Sequence, residues 1–214
     1  MSVVSLGAGP SRVQARRAQT RRAVLDAAWA LASGSGLEAL SLRDIAASVG
    51  MRAPSLYSYF DSKAAILDAL FVDGYRALDD QIAAVAASQP AKASPTRRLA
   101  ALLQMWIGFC QDDQARYRLL FTNAVPGWVA SAEAYQSSLD SYLRLCDYLA
   151  GAGITEADDI DLVTALAAGL IAQQMANDPG GDRWLRRVDD VVDMFVQHLR
   201  AHRKRATHLP EDRP

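Results

Sequence analysis

The chain has 214 residues, 50% of them hydrophobic, with a formal net charge of −1 and two cysteines. That length suffices for one small and one larger helical unit around a sizeable core. No apolar run approaches the roughly 20 residues a membrane helix needs, and Cys110 and Cys146, each inside an apolar helical pattern, read as buried free thiols rather than a disulfide framework.

The net charge hides an asymmetry. Residues 1 to 63 hold eight Arg or Lys against four acids, a net of +4, which leaves fifteen basic and twenty acidic residues, a net of −5, for the rest. Attraction for a polyanion is therefore concentrated at the N-terminus. Arg16, Arg17, Arg21 and Arg22 cluster just before or within the first turns of a helix carrying Val24, Ala27, Ala28 and Leu31 on one face. Residues 1–19 are expected to form a flexible basic arm. Arg21-Arg22 and the apolar residues after it also have the outline of a secretory signal, but Asp26 interrupts the run and cleavage would remove a helix that the next two need for packing. A cytoplasmic protein is expected.

Two short helical signals meet next across a glycine. Ser41 can cap the first, with Asp44 three residues on, and Leu42, Ile45, Ala46 and Val49 form its apolar face. Gly50 suits the left-handed stop of that helix, and Pro54 suits the first turn of the second. Leu56 and Phe60 turn inward. Arg52, Ser55, Tyr57, Ser58 and Tyr59 are left for the surface, a set of hydroxyls and a cation able to meet phosphates and base edges. Asp61 or Ser62 then caps a long helix reaching about residue 88, with Ile66, Leu67, Leu70, Phe71, Gly74, Leu78, Ile82 and Val85 at helical spacing.

These residues resemble the N-terminal domain of the tetracycline-repressor (TetR) family of bacterial transcription regulators. The matching stretches are Ala23 and Ala27 with Leu31, Gly36-Leu-Glu-Ala-Leu-Ser-Leu-Arg-Asp-Ile-Ala46, Val49-Gly50, and Pro54-Ser-Leu-Tyr-Ser-Tyr-Phe-Asp-Ser-Lys63 followed by Leu67. They cover about a quarter of the chain, in order and without gaps. Ala53 departs from the polar residue frequent at that position, which shifts base reading toward Arg43, Arg52, Ser55 and Tyr57. The resemblance implies an all-α protein: a helix-turn-helix domain over 20–63, a ligand-binding and dimerisation domain over 64–205, and a disordered tail from 206. Its expected DNA contacts are Arg21, Arg22, Ser41, Arg43, Arg52, Ala53, Pro54, Ser55, Tyr57, Ser58, Tyr59 and Lys63.

The remainder reads as helices over about 94–111, 114–122, 131–149, 155–176 and 182–204, with turns at Pro126-Gly127 and from Asn177 to Gly181. Met105, Trp106, Phe109, Phe121, Trp128, Tyr135 and Tyr142, with Gln173, are the candidate lining of a pocket for an apolar or amphiphilic effector, as the family resemblance implies. Ala165, Ala168, Gly169 and Ala172 form a small-residue stripe, and Leu185, Val188, Val192, Phe195 and Leu199 form an apolar ladder. Together with the resemblance, they are the expected homodimer interface, a four-helix bundle across a two-fold axis.

No phosphate loop, nucleophile elbow or zinc-protease motif occurs. His198 and His202 lack an evident third ligand amid basic neighbours, so neither a metal nor a cofactor is expected. The expected function is a ligand-responsive regulator, a repressor that binds a palindromic operator as a homodimer. A helical small-molecule-binding or interaction protein without DNA-binding activity is the alternative.

Overall fold

Ser11 starts the first helix by accepting a hydrogen bond from the Gln14 N–H (3.3 Å), while the Gln14 side chain accepts from the Ser11 N–H (2.8 Å). In this computed structural model, which describes residues 11–206 and side chains as far as His202, the chain is all-α. Helix α1 (Arg12–Ser35) ends at Gly36, whose φ of +88° suits a residue without a Cβ. Residues 12–19, expected in a flexible arm, are thus helical, because the capping box sits a full two turns earlier than the apolar periodicity suggested. The rest of that arm (1–10) and the tail from 207 lie outside the described residues.

Helices α2 (Leu42–Ser48) and α3 (Ala53–Leu56) form the helix-turn-helix. Ser41 Oγ accepts from the Asp44 N–H (3.1 Å), and Gly50 turns the chain at φ +68°. Helix α3 is a single turn, but bonds from the Tyr59 N–H to the Leu56 carbonyl (2.9 Å) and from the Ser58 N–H to the Ser55 carbonyl (3.3 Å) carry the coil onward. Helix α4 (Lys63–Ser88), capped by Ser62, is the spine of the molecule. Then follow α5 (Pro95–Asp112), α6 (Gln114–Phe121), α7 (Ala132–Gly151), α8 (Ala157–Asn177), a 3₁₀ turn (Leu185–Arg187) and α9 (Val188–Ala206). Residues 182–187, expected in the last helix, form the approach to it.

Apolar side chains collect into two cores. The first joins α1–α3 to Ile66, Leu67, Leu70 and Phe71 of α4 and to Ala115, Leu119 and Leu120 of α6. The second joins the distal half of α4 to α5, α7, α8 and α9. A boundary at residues 63/64 therefore falls inside the first core, and α6 packs with the N-terminal unit. Tyr75, Phe109 and Phe121 touch both cores.

Gln174, fully buried, fastens the turn between α8 and α9. Its Nε2 donates to the carbonyls of Asp178 and Gly181, and its Oε1 accepts from the N–H groups of Trp184 (2.9 Å) and Leu185 (3.3 Å). Every buried polar atom of this amide has a partner, as burial requires.

Candidate nucleic-acid interface and internal cavity

The exposed edge of the helix-turn-helix is built by burying its other side. Ile45, Ala46, Leu56 and Phe60 are buried, which turns Arg43, Arg52, Pro54, Ser55, Tyr57 and Ser58 outward, with Ala53 and Tyr59 half-buried. Among the described residues, the side chains of Arg43 and Arg52 make no ion pair or hydrogen bond, and Tyr57 is 53% exposed. Two cations, a phenol and the Ser55 hydroxyl thus share one accessible surface, the inventory that phosphate and base contacts draw on.

Other expected contacts, and Arg17 of the basic cluster beside them, are engaged within the protein. Arg17 donates to the Ser58 carbonyl (2.7 Å) and Arg21 to the Tyr59 carbonyl, so two guanidiniums cap the C-terminal end of the recognition segment, where the helix dipole favours cations. They also stack over the Tyr59 ring (5.2 Å) and the Phe60 ring (4.1 Å). Arg22 is held by Asp26 and Asp73; the Asp26 hydrogen bond, aided by Asp73, pushes its pKa up. Lys63 donates to the Glu38 carbonyl (2.7 Å), tying the start of α4 to the loop before α2, while the Ser41 hydroxyl is occupied by its cap. These residues position the exposed edge rather than compose it.

Asp73 is the junction of this scaffold. It is 7% exposed, accepts from Trp29 Nε1 (2.9 Å) and pairs with Arg22, while Arg116 on α6 approaches to 3.9 Å and lies 5.0 Å over the Trp29 ring. The sequence reading missed it, since its partners lie 43 or more residues away and leave no local trace.

A cavity of about 280 Å³ lies among α4, α5, α6, α7 and α8. Trp106, Phe121 and Tyr142 line it as expected, joined by Tyr75, Leu78, Ile82 and Leu145 and by the hydroxyls of Ser138, Ser141 and Thr164. Met105 and Phe109 pack beside the core without lining it. Trp128 packs against the first core instead, edge-on to Phe71 and donating to Asp68 (3.1 Å), and Tyr135 is 53% exposed. Gln173 points outward and accepts from Asn177 (2.7 Å); its neighbour Gln174 is the buried amide. A wider, charged cleft of about 490 Å³ between α1 and α4 includes Arg21, Arg22, Asp68 and Asp73.

The expected dimer residues divide sharply. Ala165, Ala168, Gly169 and Ala172 are exposed along α8. Val188, Val192, Phe195 and Leu199 are buried in the chain's own second core, where α9 lies against α5, and Leu185 is half-buried. The ladder is thus not an available interface, because α5 already covers it. On α9 it is Met194, 55% exposed, that faces out.

Among the described residues there is no cluster of three or more His, Cys, Asp or Glu suited to a metal, and no helix long and apolar enough to cross a membrane. The His198 and His202 rings lie 4.3 Å apart. Both cysteines are free, and burial pushes the Cys110 thiol up to about 12.

Comparison with known proteins bears on this arrangement. Residues 24–70 match the family model for bacterial regulatory proteins, tetR family. No curated protein matches the chain. Among solved structures, the candidate regulatory protein SCO4313 is 27% identical, with a TM-score of 0.66 over 86% of this chain and 98% of its own. A transcriptional regulator of the TetR/AcrR family from Thermobifida fusca is 25% identical, with a TM-score of 0.55 over 84% of this chain and 95% of its own. The regulator FadR from Bacillus subtilis, solved in complex with stearoyl-CoA, shares the fold at 17% identity, with a TM-score of 0.61 over 82% of this chain and 97% of its own.

Proposed function

Starting from a chain that belongs to the tetR family of bacterial regulatory proteins, we propose that it is a ligand-responsive transcriptional repressor, working in the cytoplasm as a homodimer on a palindromic operator. The observation that carries this reading is the exposed edge of the helix-turn-helix. Arg43, Arg52, Ser55 and Tyr57 stand free there, while Arg17, Arg21, Arg22 and Lys63 brace it from behind.

Reading a palindrome requires two such edges spaced about 34–36 Å apart. The exposed small-residue stripe of α8 supports a second copy, since Ala165, Ala168, Gly169 and Ala172 allow close helix approach, with the outer side of α9 around Met194 alongside. The apolar cavity supports a small effector; FadR from Bacillus subtilis, which shares the fold, was solved in complex with stearoyl-CoA.

The test is binding of the full-length protein to DNA from its own upstream region, followed by fluorescence anisotropy at several salt concentrations. Saturable, sequence-selective binding by a dimer, weakened steeply by salt, is expected. Affinity equal to that for unrelated DNA would refute the reading.

A further inference from the structure

We propose that the cavity takes a small uncharged molecule with a single polar head, a carbonyl or hydroxyl group, which the Ser141 hydroxyl meets. This deepens the effector reading and rests on it for its regulatory consequence, though not for binding itself.

Three observations converge. First, among the described residues no charged side chain lines the cavity. A carboxylate or ammonium entering it would lose its hydration and find no counter-ion, a heavily penalised state. Second, the hydroxyl donors on the less exposed part of the wall are engaged, with the exception of Ser141. Ser138 donates to the Tyr135 carbonyl (2.7 Å), Thr164 to the Ile160 carbonyl (2.9 Å) and Tyr75 to the Leu120 carbonyl (3.4 Å), while Tyr142 is 45% exposed and open to solvent. Ser141, only 3% exposed, has a hydroxyl with no hydrogen-bond partner among the described residues. Most serines inside a helix bond back to a carbonyl one turn earlier when nothing else is offered. On α5, Trp106 Nε1 is buried without a partner among the described residues. A serine hydroxyl can donate or accept, so the matching group on a ligand is a carbonyl or an alcohol. Third, the volume sets the scale of the buried part of a ligand. At roughly 30 Å³ per water-sized group, a cavity of about 280 Å³ holds about nine non-hydrogen atoms.

Four probes of that size separate the possibilities: 2-octanone, octanoate, octylammonium and nonane, each titrated calorimetrically into the full-length protein. We expect 2-octanone to bind at least tenfold more tightly than either ion. Ser141→Ala should weaken 2-octanone by roughly three- to tenfold, the worth of one neutral hydrogen bond, and leave nonane unchanged. Ser141→Cys, which retains the volume but donates weakly, should show the same selective loss if the alanine variant folds poorly. No binding of 2-octanone at roughly millimolar concentration, octanoate binding as tightly as the ketone, or equal losses for ketone and alkane in the variants would each overturn the proposal. Operator affinity is read separately: 2-octanone that binds as described without altering it supports this ligand class and refutes the effector role.

Discussion

Asp73→Ala probes the junction between the two cores. The substitution leaves Trp29 Nε1, on a residue 5% exposed, without its acceptor, and removes the carboxylate between Arg22 and Arg116. A buried donor stranded in this way costs about 1–3 kcal/mol. Breaking a fully buried ion pair costs about 3–5 kcal/mol, but the Arg22 side chain is 49% exposed and keeps Asp26, so its share is screened and small. The sum is about 2–4 kcal/mol, which for a chain of this size lowers the midpoint of thermal unfolding by roughly 5–15 °C. Trp29→Phe keeps most of the ring while removing the donor. In a double-mutant cycle followed by urea unfolding, the second substitution should cost about 1–2 kcal/mol less in the Asp73→Ala background than alone. Additive effects, or an Asp73→Ala variant within about 0.5 kcal/mol of the parent, would show that the carboxylate does not hold the junction.

Three further outcomes follow from the same geometry. Arg52→Ala should weaken operator binding across sequences and flatten its log-log salt slope by about one, whereas Arg43→Ala should relax base preference by about 1–3 kcal/mol if it makes a bidentate contact; anisotropy titrations on operator and scrambled DNA distinguish them. Ala168→Glu should yield folded monomers in sedimentation, because the exposed α8 stripe tolerates a carboxylate only when unpartnered, while Val192→Glu should unfold the chain by forcing a charge into its core. Burial raises Cys110 from 9 to about 12 and Tyr75 from 10 to about 12, so the folded state holds these protons more tightly than the unfolded one. The stability they contribute is complete below pH 9 and is lost as the pH rises to about 12; urea midpoints that stay flat across that window would contradict their burial.

The helix-turn-helix was legible because its signals are local. Ser41, Gly50 and Pro54 each act on their own few residues, so a cap, a left-handed stop and a first turn can be read in place. The errors arose where the answer lay far along the chain. Periodicity correctly marked the Val188, Val192, Phe195 and Leu199 face of α9 as buried, but it does not say by what, and α5 supplies the cover. Arg22 and Lys63 looked available because Asp73 and the Glu38 carbonyl, 51 and 25 residues distant, leave no local trace. Gln173 and Gln174 differ by about 100° of helix rotation, enough to send one into solvent and the other into the core.

On the proposed function, helix α6 is the candidate route from an occupied cavity to the helix-turn-helix edge. Phe121 at its end lines the cavity, while Leu120 presses on α4 at Gly74, where an added Cβ would lie 3.0 Å from Leu120 Cδ2. Arg118 reaches Glu38 (3.6 Å) and Arg116 approaches Asp73, so the same eight-residue helix also grips the loop before α2 and the α1 junction. A ligand shifts this arrangement only to the extent that it binds one setting of α6 better than the other. Gly74→Ala tests the coupling without a ligand. Alanine improves the helix interior by about 1 kcal/mol, and displacing the flexible Leu120 by a few tenths of an ångström costs a similar amount, about 1 kcal/mol, so stability should change little. Operator affinity should nonetheless fall several-fold, with a smaller further response to any effector, because α6 is already pushed from α4. A Gly74→Ala protein of unchanged stability, unchanged operator affinity and unchanged effector response would exclude this contact as the route.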